Sequence, residues 1–126
     1  MAVRLTISVS TIPQLEAAVN GLALIGAAER RDPANRGKFP PVTALRYVRE
    51  KPNQEHWQTP LETALRRTGD CEDLAAYLLS QYLVEGDRDA SARVLVINPT
   101  LRHVVVARGD GRLVDPSKAC GMQGAG

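Results

Sequence analysis

Several classes of protein are excluded by what this sequence lacks. It has two cysteines in 126 residues and no Cys-x-x-Cys, so neither a disulfide framework nor a cysteine-built zinc site fits it. No apolar run approaches the roughly 18 residues that span a bilayer. The opening stretch MAVRLTISVSTIPQLEAAV lacks the basic n-region, uninterrupted apolar segment and small-residue cleavage site of a secretory signal. A cytoplasmic protein without a membrane partner is therefore the expectation, and a periplasmic one only if a signal has been removed. No basic stripe carries interleaved aromatics, which gives no ground for nucleic acid as a partner. No Gly-x-Ser-x-Gly elbow is present to carry a serine nucleophile. Internal repeats are absent.

What is there describes one globular domain, residues 1–126. Hydrophobic residues make up 44% and charged residues 24%, a balance that folds rather than stays disordered. The formal charge is +2 and its basic residues are scattered. Arg30, Arg31, Arg36 and Lys38 cluster in a Pro/Gly-containing stretch, which reads as a solvated loop with the option of touching an acidic partner.

Periodicity gives an order of elements. VRLTISV (3–9) alternates as a half-buried strand does. Thr11 with Gln14 three residues on forms a capping-box signal for a helix to about residue 30. RDPANRGKFPP (31–41) is a loop, and VTALRYVRE (42–50) reads as a short helix. Thr59-Pro60-Leu61-Glu62 opens another helix, with Leu61, Ala64, Leu65 and Thr68 on one face and Gly69 as its stop. Asp70 caps the next, whose Leu74, Ala75, Leu78, Leu79 and Tyr82 should bury it on most sides. Strands follow at 92–98, 102–107 and 112–115, and GMQGAG should fray. Helices first and antiparallel strands after describe an α+β domain.

The chemistry centres on RRTGDCEDLAAY (66–77). With Asp70 as N-cap, Cys71 takes the first helical position, beside unpaired amides and the positive helix end that favour thiolate. The same amides can donate to an oxyanion. A nucleophile needs a base, and the base needs an orienting group. Of two histidines, His103 opens a strand, and Asp115 lies on the strand that folds back beside it. A three-residue Gly109-Asp110-Gly111 loop sets Asp115 opposite Val105, diagonal to His103 and on its face. Gly111 suits the left-handed position closing such a loop, at the cost of Arg108 opposite Arg112. Each residue also has a plain reading: a packed cysteine, an edge histidine, an aspartate starting a turn.

HWQTPLETALRRTGDCEDLA (56–75), continued by HVVVARGDGRLVD (103–115), resembles the bacterial transglutaminase-like cysteine proteinases, which include the LapG-type periplasmic proteases. The resemblance runs over roughly 45–116. It implies a papain-like transglutaminase core, with the cysteine opening a central helix packed on an antiparallel sheet. It also implies Cys71 as nucleophile, His103 as general base and acid, and Asp115 as orienter of the imidazole. Asp70, Glu72 and Asp73 match residues that bind calcium in the LapG-type relatives. Three clustered carboxylates repel one another, and a hard cation relieves that; acidic residues also simply suit a helix N-terminus. The papain-like oxyanion glutamine has Leu65 at its position here, which leaves Gln58 and Trp57 as candidate donors. The expected activity is that of a thiol hydrolase, a cysteine protease or amidase acting on a protein or peptide substrate. Its rival is a non-catalytic binding or assembly module of the same fold.

Overall fold

A computed structural model describes residues 11–49, 57–99 and 101–122. The strand expected at 3–9 and the tail at 123–126 lie outside them. Helix α1 (Ile12–Arg31) opens as its sequence signal requires: Thr11 Oγ1 accepts from the Gln14 amide, and Gln14 Oε1 accepts from the Thr11 amide, both at 3.2 Å. Its inward face is Leu15, Val19, Leu22, Ala23, Gly26 and Ala27. A loop with two 3-10 turns, Pro33–Asn35 and Val42–Ala44, leads to the short strand β1 (Arg46–Tyr47).

The helix expected over 42–50 does not form. The backbone there bonds outward instead: Arg46 N–H donates to Arg67 O and Val48 N–H to Gly69 O, each at 2.9 Å. Strand β2 (Thr68–Gly69) supplies that partner, parallel to β1 in the register Arg46–Thr68 and Tyr47–Gly69. Long-range pairing replaces the i to i−4 ladder that a nine-residue stretch could only half complete.

Helix α2 (Pro60–Arg66) is capped by Thr59, whose hydroxyl accepts from the Glu62 amide at 3.3 Å. Two details depart from the sequence reading. The buried side is Pro60, Thr63 and Ala64, while Leu65 is 65% exposed. Arg67, at φ 66°, ends the helix in the left-handed region, so Gly69 is not its stop.

Helix α3 (Cys71–Val84) is the spine, buried without a break from Asp73 to Ser80. It packs against α1, α2 and the sheet, which explains why its apolar residues do not stay on one stripe. The sheet runs β3 (Ser91–Asn98), β4 (Leu101–Ala107), β5 (Leu113–Val114), all antiparallel. Along β3, Glu16 and Asn20 of α1 accept the Val94 and Ala92 amides at 2.9 and 2.8 Å, which closes that stretch of edge to other strands. Val19, Leu22, Leu79, Val104 and Val106 form the core between α1, α3 and the sheet, with Trp57 beside them. A second cluster joins Leu45, Ala64, Leu74, Tyr77 and Cys120.

Cys120, just before the stretch expected to fray, is buried. Helix α4 (Pro116–Ala119) turns it inward, and its thiol donates to Val42 O at 3.1 Å. The described residues form an α+β fold of helices on a small antiparallel sheet. None of their helices is long and apolar enough to cross a membrane.

Candidate active site

The site begins with a tight approach at the N-terminus of α3. Asp70 Oδ1 accepts the Asp73 amide at 3.0 Å, and Asp73 Oδ2 accepts the Asp70 amide at 3.1 Å. Gly69 precedes this capping box because nothing larger fits: a Cβ there would lie 2.7 Å from Asp73 Cβ. Cys71, half-buried, follows as the first helical residue.

The other half comes from the β4–β5 hairpin. The register Val106–Val114 and Ala107–Leu113 is that of the three-residue loop, with Gly111 at φ 93°. The like-charged pair across it is neutralised locally. Arg108 lies over the Tyr82 ring and bonds Asp87, and Arg112 bonds Asp110. Past the hairpin, Asp115 divides its carboxylate. Oδ1 caps α4 by accepting the Ser117 and Lys118 amides at 3.1 and 3.3 Å, and Oδ2 lies 2.8 Å from His103 Nε2. With Nε2 so engaged, Nδ1 is the imidazole nitrogen left for proton transfer.

Strand β4 also meets the cysteine. Among the described residues β5 pairs only with Val106 and Ala107, so the edge of β4 below them has no described strand on that side. The Val104 amide, one residue from His103, lies near enough to the Cys71 sulfur to favour its ionised form. The fold thus joins His103 to Asp115 and brings the strand that carries His103 up to Cys71.

Electrostatics correct one expectation. Burial, reinforced by Glu72 and Asp70, pushes the Cys71 thiol far above its ordinary range, and the Val104 amide only partly opposes this. A half-charge at a helix end cannot offset desolvation plus adjacent carboxylates. Cys71 rests as a thiol, not a thiolate.

The acidic cluster and Gln58 have a different occupation from the expected one. Asp73 is 2% exposed and accepts from the Gln58 amide, from Gln58 Nε2 and from the Asp70 amide at 3.1–3.2 Å. Burial, with Asp70 next to it, holds the Asp73 carboxyl well above the usual range. Gln58 Nε2 also reaches Thr68 O at 3.0 Å and Thr63 Oγ1 at 3.3 Å. Its two hydrogens already face three acceptors, so it has none for an oxyanion. Among the described residues no three His, Cys, Asp or Glu side chains are grouped to hold a metal ion. Of the three carboxylates expected as calcium ligands, Asp70, Glu72 and Asp73, the last turns inward and ties 57–59 to α3. Trp57 is buried in the cluster against which Cys71 packs.

No family model, no curated protein and no solved structure matches this chain. The site rests on its own geometry. One residue in it was invisible to pattern reading. Tyr47, paired with Gly69 through β1 and β2, stands in the electrostatic field of Cys71, Asp70 and Glu72, and burial plus these neighbours raise its pKa. A phenol so held is an O–H donor at neutral pH. No local signal in LRYVRE marks it, because its position depends on a strand pairing made 22 residues downstream.

Proposed function

We propose that the chain is a papain-like, transglutaminase-type thiol hydrolase that cleaves a peptide or amide bond through Cys71, His103 and Asp115. The observation that carries this reading is the 2.8 Å His103–Asp115 bond, with the amide of the residue after His103 near the Cys71 sulfur. As the sulfur attacks the carbonyl carbon, its proton passes to His103 Nδ1, and Asp115 holds the resulting imidazolium. The C–N bond then breaks, the amine leaves with that proton, and water releases the acyl group from the sulfur. An amine in place of water makes the same step a transamidation. The raised thiol pKa means that proton transfer accompanies attack, rather than preceding it. The Cys71 backbone N–H, ahead of the first intrahelical bond at Leu74, supplies an oxyanion donor, with Trp57 as the side-chain candidate.

Mass spectrometry after incubation with p-nitrophenyl acetate tests the reading. An acetyl group on Cys71 is expected in the parent and in Cys120→Ser, and not in His103→Ala. An unmodified Cys71, or acylation indifferent to His103, sinks it. The protonated resting thiol would then favour a binding module that retains the fold.

A further inference from the structure

The other end of α3 carries a feature that the proposed chemistry leaves unused. A cavity of about 440 Å³ opens there between the end of α1, the 3-10 turn after it and the last turn of α3. Three arginines of the basic cluster, Arg30, Arg31 and Arg36, line it together with Phe39. At 1.5 Å per residue, the length of α3 separates it from Cys71 by roughly 20 Å. It is a distinct place on the molecule.

Arg30 is built into this cavity. Its Nε donates to Ser80 Oγ at 2.7 Å and its Nη2 to Tyr77 O at 3.0 Å. Its guanidinium lies 4.6 Å from the centroids of both the Phe39 and Tyr77 rings. A guanidinium has five N–H donors, so these bonds leave it fixed in position with donors to spare. Burial draws its pKa down, as befits a cation that has given up water. Among the described residues none of the three arginines is in a salt bridge. Two carboxylates share the wall, and both serve their own elements. Asp32 accepts the Ala34 amide at 2.9 Å, and Glu85 accepts from Gln81 at 2.8 Å. The cations thus outnumber the carboxylates, beside an aromatic ring, in a volume typical of small-molecule sites.

We infer that this cavity binds a small organic anion, a carboxylate or phosphate borne on a flat or apolar body, with Arg30 as the fixed donor and Arg31 and Arg36 as the outer clamp. Planar oxyanions match guanidinium forks, and Phe39 gives the apolar body a surface. The site stands whether or not Cys71 is a catalyst.

Calorimetric titration of the full chain at low salt tests it, with phenyl phosphate, benzoate and inorganic phosphate as probes. Phenyl phosphate should bind about fivefold or more tightly than inorganic phosphate, which lacks the apolar body. The Arg31→Gln/Arg36→Gln double variant should weaken it about tenfold with little change in melting temperature, because both side chains are exposed. The Arg30 Nε–H resonance, held by Ser80, should shift during the titration. An acetylated, amidated Glu-Phe-Glu peptide separates the sources. Tighter binding than benzoate identifies a peptide carboxylate as the anion, and weaker binding a free small molecule. No heat and no Arg30 shift, or equal affinity in parent and double variant, would overturn the inference.

Discussion

The two ends of α3 invite comparison. At the first, Asp70, Glu72 and Asp73 crowd the positive pole around Cys71; past the middle of the helix, toward the other end, Arg30 of α1 packs its guanidinium over Tyr77 and against Ser80. Each suits the dipole of its own helix: Glu72 and Asp73 stand in the first turn of α3, Arg30 and Arg31 in the last turn of α1. They differ in what the neighbouring chain does with them. At the N-terminal end, charge is taken inside: Asp73 is sealed under Gln58, and the thiol is raised by the carboxylates beside it. At the other end the cations stay at a wet rim, with only Arg30 pinned. Helix polarity thus chooses the sign of the residues at each end. Burial decides whether they become structure, chemistry or a binding surface.

The sharpest way to break the contrast is at the N-terminal corner. His103→Ala should slow acylation of Cys71 by p-nitrophenyl acetate by about 10²–10⁴-fold, followed as nitrophenolate release, whereas Arg31→Gln should leave that rate alone.

Next in size is a stability difference between the two ends. Asp73→Ala strands the backbone amides of Gln58 and Asp70, and should cost about 3 kcal/mol in urea unfolding. Ser80→Ala, which removes one acceptor from Arg30 at the opposite end, should cost about 1 kcal/mol. Equal losses would mean that the acidic end is no more deeply buried than the basic one.

The thiol supplies a pH test. An unfolded cysteine ionises near pH 8.5, and the folded Cys71 ionises well above it. Below that unfolded value both states keep the proton, and nothing is lost. Above it only the unfolded state ionises, so stability falls steadily as pH rises from about pH 8 upward, until the folded thiol ionises too. Cys71→Ala should flatten that slope in denaturation curves. Iodoacetamide alkylation of the parent should likewise climb through the same range without a plateau.

The smallest effect should come from Glu72→Gln. Glu72 is the largest cause of the high thiol pKa after burial, so its neutralisation should speed alkylation at fixed pH by about threefold. A slower reaction would show that the carboxylate assists the thiol instead of suppressing it.

Much of this arrangement was legible in local chemistry. Thr11 with Gln14, Thr59-Pro60 and Asp70 each announce a helix start because a cap needs only the next three residues. The Gly109–Gly111 turn settles the hairpin register, and with it the side of the sheet on which Asp115 meets His103. Other features were not legible, for one common reason. Tyr47 comes within the electrostatic field of the cysteine because β1 pairs with β2, and Cys120 is buried because α4 folds it onto Val42. Gln58 and Asp73, read as an oxyanion donor and a calcium ligand, proved to be partners of each other across 15 residues.

By itself, then, the sequence determined where helices begin, how the hairpin turns, and that a cysteine, a histidine and an aspartate occur in an order fit for acyl transfer. Only the tertiary structure decided what each polar group is for. A hydrogen bond or a pKa depends on what lies within a few ångströms in space, and burial strengthens every such contact by excluding water. Neither quantity is a property of neighbours along the chain.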